Sequence, residues 1–361
     1  MTEVWPPVRE ELRGIAAYGA PQLDVPVCLN VNENPYGPSR ECAASIASHV
    51  GRIAAELNRY PDREFVALRK ALAEYLDAGV TPEMVWAGNG SNEVMLHLLQ
   101  AFGGPGRTAV SFAPTYSMYP EYARGTHTTW VEGHRAEDFT LDPAHVRAVL
   151  EEHRPSVVLL PSPNNPTGTT LPHALVEELC SLLPEGIVVV DEAYAEFRRA
   201  GTPSALELLP SHRNLVVTRT MSKAFALAGA RLGYLAADPA ICDSLRVVRL
   251  PYHLSAITQA TALAALEHAD ELLARVDDLR AERDATVTWL REQGHTVADS
   301  DANFALFGVF ADRHAVWQAL LDRGVLIREV GPSGWLRVSI GTHVEMGRFR
   351  QALTEVTGEL R

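Results

Sequence analysis

Residues 215–236, LVVTRTMSKAFALAGARLGYLA, place a single lysine between two apolar runs. The runs Leu215–Thr218 and Leu232–Ala236 have the length and the apolar character of buried strands. The residues between them are mostly small, and Lys223 is the only lysine in the segment. The segment therefore predicts a strand, a compact loop that carries Lys223, and a second strand.

A lysine among small and apolar neighbours has two interpretations. In most proteins such a side chain extends from a loop into solvent. If it is held in an apolar site instead, loss of hydration disfavours the ammonium form, and the free amine becomes available for Schiff-base chemistry. Thr220 and Ser222 precede Lys223, and Arg231 follows it by eight residues. Two hydroxyl groups and a guanidinium near a nucleophile favour an anion site beside the amine.

A carboxylate follows another apolar run upstream. Ile187–Val190 reads as a buried strand, and Asp191 comes directly after it. Open parallel sheets bind ligands at the carboxyl ends of their strands, which would place Asp191 at a ligand site. An aspartate after a strand is equally typical of a cap on the next helix. These residues alone leave both interpretations open.

Between about residues 85 and 240, short apolar runs alternate with helical patterns. This alternation predicts an α/β fold whose mostly parallel, seven-stranded sheet has helices on its faces. The predicted strands are Val85–Ala87, Thr108–Phe112, Thr128–Val131, Ser156–Leu160, Ile187–Val190, Leu215–Thr218 and Leu232–Ala236, with helices that include Glu93–Phe102 and His173–Leu183.

Towards the carboxyl end, the regular alternation of short apolar runs and helical patterns stops. This change predicts a second, smaller α+β domain. We expect an N-terminal arm with part of the small domain at 1–40, a large domain at 41–255 and a small domain at 256–361. The predicted elements of this part are a long helical region at 258–292, strands Phe304–Val309, Val325–Arg328 and Leu336–Ile340, and helices near 312–323 and 343–357.

Composition and charge exclude several classes of function. The net charge of −13 disfavours a nucleic-acid partner. Four cysteines without CxxC spacing and 13 histidines without HExxH indicate a reducing cytoplasm and no metal site. No run approaches the roughly 18 apolar residues of a membrane span, and residues 1–7 do not have the pattern of a secretory signal. We expect a cytoplasmic protein with small-molecule substrates.

Two loops are candidates for ligand contact. Residues 88–92, GNGSN, follow a predicted strand and open a helix, where glycines and free amides suit a phosphate. A helix terminus supplies only about half a positive charge, so a phosphate also needs a cation such as Arg231. Residues 162–168, SPNNPTG, follow the strand at 156–160. For each loop an ordinary connection is the alternative interpretation.

The segment 220–234 resembles the lysine motif of the class I/II aminotransferases, which are pyridoxal-phosphate (PLP) enzymes of fold type I. The resemblance implies that Lys223 is the catalytic residue and binds the cofactor covalently. It also implies that Asp191 pairs with the pyridine nitrogen, which keeps the ring cationic and able to accept electrons. The cofactor-binding residues that it implies are Ser91, Asn92, Tyr116, Asn165, Asp191, Tyr194, Thr220, Ser222, Lys223, Arg231 and Tyr60.

The resemblance assigns each of these residues a contact. Thr220, Ser222 and Arg231 would hold the phosphate, Asn165 and Tyr194 would contact the ring hydroxyl, and Tyr116 would stack on the ring. Tyr116 as a core tyrosine is the alternative.

Further segments resemble the histidinol-phosphate aminotransferases, particularly those of actinobacteria. The segments are Leu12–Gly14, Tyr18–Gln22, Leu29–Gly37, Arg59–Asp62 and Leu250–Ser255. The family converts histidinol phosphate and 2-oxoglutarate to imidazole-acetol phosphate and glutamate in histidine biosynthesis.

This resemblance also implies substrate contacts and an assembly. Arg337 and Arg328 would bind the anionic groups of the substrates, and Tyr18 and Asn34 would line the substrate site. A surface charge is the alternative for Arg328. Tyr60 would reach the cofactor of a second subunit, which implies a homodimer with shared active sites.

Three other functions stay open from the sequence. An aromatic amino-acid aminotransferase and a lyase similar to threonine-phosphate decarboxylase would use the same cofactor residues. A PLP-binding transcription regulator is disfavoured, because such a protein needs a DNA-binding module and this chain is acidic.

Overall fold

The computed structural model describes residues 7–359. Residues 1–6 and 360–361 lie outside the described part, so the expectation that residues 1–7 are not a secretory signal falls almost entirely outside it. The chain folds into a large seven-stranded sheet with helices on both faces and a smaller part built on short strands.

All seven strands predicted for the large sheet are present, with bounds that move by three residues or fewer. The twelve strands of the described chain are β1 (Val27–Cys28), β2 (Val85–Asn89), β3 (Thr108–Ala113), β4 (Thr129–His134), β5 (Val157–Pro161), β6 (Ile187–Asp191), β7 (Leu215–Thr220), β8 (Leu232–Ala237), β9 (Thr296–Val297), β10 (Phe304–Gly308), β11 (Val325–Leu326) and β12 (Leu336–Ser339).

The large sheet has the strand order β2-β8-β7-β6-β5-β3-β4. β8 is antiparallel to both of its neighbours, and the other pairs are parallel. Every residue of β5 and β6 is buried, as expected for strands that helices cover on both faces. The predicted fold class, α/β with a mostly parallel seven-stranded sheet, is confirmed.

Several helices begin where local signals place them. Ser39 accepts a hydrogen bond from the amide of Cys42, and Asp142 and Asp238 each cap a helix that has proline at its first position. The helices are α1 (Arg40–Ala54), α2 (Val66–Leu76), α3 (Ser91–Phe102), α4 (Tyr119–Gly125), α5 (Pro143–His153), α6 (His173–Leu182), α7 (Pro239–Val248), α8 (Ala256–Glu267), α9 (Ala269–Glu292), α10 (Arg313–Asp322) and α11 (His343–Glu359).

The long helical region predicted at 258–292 is two helices. His268 has φ −113° and ψ 21°, which ends α8 and begins α9. α8 packs against α1 and α2, beside the large sheet. Within residues 7–359, none of the helices combines the length and the apolar character that crossing a bilayer requires.

The second hydrophobic core surrounds a three-stranded antiparallel sheet of order β12-β10-β9 and the parallel pair β1–β11. Phe304, Phe307 and Phe349 lie in this core. α9 contributes Leu272 to the first core and Val276 to the second, so the chain passes between the cores along this helix. The domain limits at 40/41 and 255/256 stay a prediction.

Candidate active site

Three strand ends and one helix start surround a cavity of about 270 Å3 at one side of the large sheet. Pro161, Asp191 and Thr220 end β5, β6 and β7, and Ser91 begins α3. All predicted site residues except Tyr60 and Asn34 line the cavity: Tyr18, Ser91, Asn92, Tyr116, Asn165, Asp191, Tyr194, Thr220, Ser222, Lys223, Arg231, Arg328 and Arg337.

Lys223 faces this cavity instead of extending into solvent. Its Nζ donates a hydrogen bond of 2.9 Å to the carbonyl oxygen of Val31. Burial lowers the pKa of Lys223 to about 8, and the positive charges of Arg337 and Arg231 act in the same direction. About a tenth of the amine is therefore uncharged at pH 7, and this uncharged form is the nucleophile.

Asp191 does not cap a helix. The next helical turn, Ala195–Phe197, begins after Tyr194. The carboxylate of Asp191 accepts hydrogen bonds of 3.0 Å from the hydroxyl groups of Tyr119 and Thr218. Burial raises the pKa of Asp191, and these two hydrogen bonds oppose that effect. Neither hydroxyl group was predicted, because nothing in the sequence indicates that α4 and β7 meet at this carboxylate.

Glycines allow the start of α3 to come close to the loop of Lys223. Gly90 has φ +81°, and a Cβ atom there would lie 2.4 Å from Nη2 of Arg231. A Cβ atom on Gly233 would lie 2.1 Å from the amide nitrogen of Ser91. The first amides of a helix have no partner within the helix. The helix start, Arg231 and the hydroxyl groups of the lysine loop therefore form a cradle that suits an anion.

The turn before α3 is held by Glu93, which sequence reasoning did not select. Its Oε2 accepts hydrogen bonds from the backbone amide and the side-chain amide of Asn89, at 2.6 and 2.8 Å. Asn89 also donates to the carbonyl oxygen of His253 at 2.7 Å. These bonds orient the turn on the side away from the cavity.

Two arginines lie at the other end of the cavity. The backbones of Arg328 and Arg337 exchange two hydrogen bonds of 2.9 Å. Arg337 donates to the carbonyl oxygen of Asn30 and to the side chain of Asn165. Nε of Arg337 and Nη1 of Arg328 are buried without a hydrogen-bond partner among residues 7–359. Burial lowers the pKa of Arg337 to about 10.

Within the described chain, neither Arg328 nor Arg337 forms an ion pair with a carboxylate. Buried donors without partners are rare, and a guanidinium binds phosphate and carboxylate with parallel hydrogen bonds. This end of the cavity is therefore suited to the anionic group of a ligand.

The aromatic side chains of the cavity are held by amides. The hydroxyl group of Tyr194 accepts hydrogen bonds from Asn32 at 3.0 Å and Asn165 at 3.5 Å. Asn32 was not predicted, although it lies within the segment Leu29–Gly37. Tyr116 donates to Asn92 at 3.4 Å and lines the cavity while packing against the first core.

Three predicted site residues are either exposed or lie outside the main cavity: Tyr18, Tyr60 and Asn34. Tyr18, 49% exposed, lies at the cavity and accepts a hydrogen bond from Ser117. Tyr60 is 80% exposed and stacks on Tyr252, with 4.3 Å between the ring centroids. Asn34 lines a separate cavity and donates to the carbonyl oxygen of Ala224, so in this chain it holds the backbone next to Lys223.

The donor set of the cavity suits pyridoxal phosphate. The cradle can hold a phosphate, Asp191 can accept from a pyridinium nitrogen, and Asn165 with Tyr194 can contact a ring hydroxyl. The amine of Lys223 lies among these groups. In the described part of the chain, no cluster of three or more histidine, cysteine or carboxylate side chains could hold a metal ion.

Comparison with known proteins shows similarity over nearly the whole chain, not only at the residues of the cavity. The family model described as aminotransferase class I and II matches residues 25–353. A histidinol-phosphate aminotransferase of Thermobifida fusca is 62% identical over 352 residues, which cover 98% of this chain and 96% of that protein. Histidinol-phosphate aminotransferase 3 of Burkholderia lata is 60% identical over 354 residues, covering 97% and 95%.

A solved structure is similar over the same extent. It is the histidinol-phosphate aminotransferase of Sinorhizobium meliloti in complex with pyridoxal-5'-phosphate. Its TM-score is 0.84 at 27% identity, and the match covers 93% of this chain and 92% of that chain. Both cores of this chain therefore fall within the match.

Proposed function

This chain belongs to the class I and II aminotransferases, and we propose that it transfers the amino group of histidinol phosphate to 2-oxoglutarate with pyridoxal phosphate as cofactor. The observation that carries the proposal is the amine of Lys223 in one cavity with two arginines that have no carboxylate partner among residues 7–359. The reaction requires a nucleophilic amine and a cationic site for the anionic ends of its substrates.

Each predicted cofactor residue at the cavity has a place in this proposal. Ser91, Asn92, Thr220, Ser222 and Arg231 would hold the phosphate. Asp191 would hold the proton of the ring nitrogen, Asn165 and Tyr194 would orient the ring hydroxyl, and Tyr116 would cover the ring.

The chemistry divides between the cofactor and the chain. When bound, pyridoxal phosphate supplies an aldehyde that takes up the amino group and a cationic ring that accepts electrons from the substrate carbon. Nζ of Lys223 would take the proton from the carbon that bears the amino group. It would then deliver this proton to the carbon that receives the amino group. Its lowered pKa supports this role, because an efficient general base has a pKa near the working pH.

The two arginines would bind both substrates in turn. Histidinol phosphate carries a phosphate and 2-oxoglutarate carries carboxylates, and a guanidinium fork binds either group with two hydrogen bonds. Arg328 and Arg337 are paired through their backbones, so one anion can reach both side chains. Tyr18 would close the cavity over the substrate.

A homodimer is part of the proposal. Val247, Leu250 and Tyr60 expose 84%, 77% and 80% of their surface, and Tyr252 lies against Tyr60. Neighbouring apolar side chains with this exposure are typical of a surface that another chain covers. A second copy placed on it would bring Tyr60 of each subunit towards the other subunit's cofactor, as the resemblance implies. The cytoplasmic location expected from the sequence also stays a proposal.

A panel of amino donors tests the function. Purified protein loaded with pyridoxal phosphate is mixed with histidinol phosphate, phenylalanine or threonine phosphate, and conversion of the cofactor to its amine form is followed by absorbance. We expect histidinol phosphate to convert it fastest, and 2-oxoglutarate to restore the starting spectrum. Faster conversion by phenylalanine would indicate an aromatic aminotransferase, and release of CO2 from threonine phosphate without an acceptor would indicate a lyase. Either result would contradict the proposal.

A further inference from the structure

Asp191 is a buried carboxylate that has no cationic partner in the described part of the chain. Only 6% of the residue is exposed, and no arginine, lysine or histidine of residues 7–359 forms an ion pair with it. Its side-chain hydrogen-bond donors in that range are Tyr119, which donates to Oδ2, and Thr218, which donates to Oδ1, each at 3.0 Å. Each carboxylate oxygen thus receives one hydroxyl group, the backbone amide of Ala193 supplies a further donor, and the carboxylate still has acceptor capacity for a ligand.

Both donors are held firmly by the fold. Tyr119 is fully buried at the first turn of α4, with Pro120 directly after it. Thr218 is fully buried on β7, where it is the register partner of Asp191 on the neighbouring strand. Burial raises the pKa of Tyr119 well above its ordinary value, so its hydroxyl group stays protonated and donates to the carboxylate.

We infer that Tyr119 and Thr218 are positioning residues for Asp191, whose carboxylate they hold ionised and facing the cavity through one hydroxyl group on each oxygen. The inference rests on the proposed function, because an ionised carboxylate is what a protonated ring nitrogen requires. It assigns a task to two residues that do not line the cavity.

The other groups that act on Asp191 cannot replace these donors. Tyr116, Tyr122 and Tyr194 are neutral at neutral pH, and burial raises the pKa of each of them. Glu192 carries a negative charge and raises the pKa of Asp191. Besides the two hydroxyl groups, the backbone amide of Ala193 favours the ionised form.

The test is a titration of Asp191 in full-length, cofactor-free protein by carbon NMR, with the signal assigned from an Asp191→Asn sample. Tyr119→Phe and Thr218→Val each remove one donor at nearly constant shape. A hydrogen bond to a charged group contributes enough to change an equilibrium about 10-fold. We therefore expect the acid dissociation constant of Asp191 to fall about 10-fold in each variant.

Two matched variants control for loss of a hydroxyl group by itself. The hydroxyl group of Tyr234 is buried without a hydrogen-bond partner in the described chain, so Tyr234→Phe should leave the titration unchanged. Thr218→Ser keeps the donor and should behave like the wild type. Thermal unfolding of every variant confirms that the chain is folded.

A second readout uses pyridoxal phosphate labelled with 15N in the ring. In the doubly substituted protein the ring nitrogen signal should move towards its unprotonated position, and the dissociation constant of the cofactor should rise about 10-fold or more. A folded Tyr119→Phe or Thr218→Val protein with an unchanged Asp191 titration would overturn the inference, and either variant suffices if the other does not fold. If wild-type protein fails to bind the cofactor while both variants shift the titration, the proposed function fails and the hydroxyl effect stands.

Discussion

Asp191 and Glu192 are adjacent, and both are buried, yet their surroundings are opposite. Glu192 lies on the side away from the cavity and receives Arg219 at 2.7 and 3.0 Å, Arg198 at 3.3 Å and Ser204 at 2.7 Å. Although burial alone would raise the pKa of Glu192, Arg219 and Arg198 lower it below its ordinary value. The pKa of Asp191 is raised, because no cation of the described chain compensates its burial.

The difference separates groups that hold the fold together from groups that bind ligands. A buried charge with its full set of partners helps to hold the fold together, since removing one partner leaves the other unpaired and destabilises the protein. A buried charge left short of partners carries a cost in stability that a ligand can relieve. Lys223, Arg328 and Arg337 are of the second kind. Substitution of such groups should therefore lower activity, whereas substitution of Glu192 should lower stability.

The largest expected effect is on catalysis. Lys223→Ala should lower the rate of amino transfer from histidinol phosphate by about 1,000-fold or more, because the general base is lost. The rate is measured in steady-state assays, and attachment of the cofactor by borohydride reduction followed by peptide mapping. Lys70 is the only other lysine of the chain and is exposed, so Lys70→Ala is the matched control and should keep wild-type activity. Label on residue 70 instead of 223 would contradict the assignment.

Glu192→Gln tests the buried carboxylate whose charge is paired with arginines. It leaves Arg219 and Arg198 without their shared carboxylate, so the free energy of unfolding should fall by about 3 kcal/mol. Urea denaturation of the cofactor-free protein measures the change. Glu178 pairs with Arg147 on the surface, and Glu178→Gln should cost less than about 1 kcal/mol. Equal losses in the two variants would show that burial does not distinguish these pairs.

Arg337→Ala tests the substrate end of the cavity. Loss of charge-assisted hydrogen bonds should raise the KM for histidinol phosphate and for 2-oxoglutarate by about 100-fold. The free energy of unfolding should fall less than in Glu192→Gln, because Arg337 loses hydrogen bonds to Asn30 and Asn165 but no carboxylate partner within the described chain. Arg291→Ala, which removes a half-exposed arginine paired with Asp299, is the control for kinetics. A KM that rises for one substrate alone would mean that the two substrates do not share this site.

The last expected effect is a pH dependence of stability, which fades as the pH rises. Burial lowers the pKa of Lys223 to about 8 in the folded protein, whereas an unfolded lysine titrates near pH ~10.4. The unfolded state therefore binds more protons between these values, and the stability of the cofactor-free protein rises with pH there. Below about pH 8 the full cost of the buried charge is present.

Lys223→Met removes that cost. At pH 7 the cofactor-free variant should be more stable than the wild type by about 3 kcal/mol. The difference should shrink as the pH rises from about 8 to about 10.4. Urea denaturation at a series of pH values measures it, and Lys70→Met should show no such trend. A constant difference across this range would mean that Lys223 keeps its ordinary pKa.

The sequence predicted the parts of this protein that depend on neighbours in the chain. The strands of the large sheet are apolar on both faces, so short runs such as Ile187–Val190 were recognisable without knowing their partners. The loop of Lys223 and the GNGSN turn were recognisable for the same reason, since glycine and small residues are needed where the backbone comes close to another group. Here Gly90 meets Arg231 and Gly233 meets Ser91.

Resemblance to a family made it possible to predict individual site residues. Most of these residues line the same cavity. Tyr60 and Asn34 lie outside it. Tyr60 lies on the surface proposed for the dimer, where it would face a second copy of the chain. Asn34 instead hydrogen-bonds the backbone beside Lys223, a contact between residues far apart in the chain.

Only the tertiary structure decided which charges are compensated. From the sequence, Asp191 could be a helix cap or a ligand group, and Glu192 carried no signal. The side chains that distinguish the two, Tyr119, Thr218 and Arg219, come from α4 and β7 and reach β6 only through packing. Hydrogen bonds and Coulomb interactions depend on distance in space, so a pattern along the chain identifies the strand and its carboxylates, whereas the folded chain determines how they are paired.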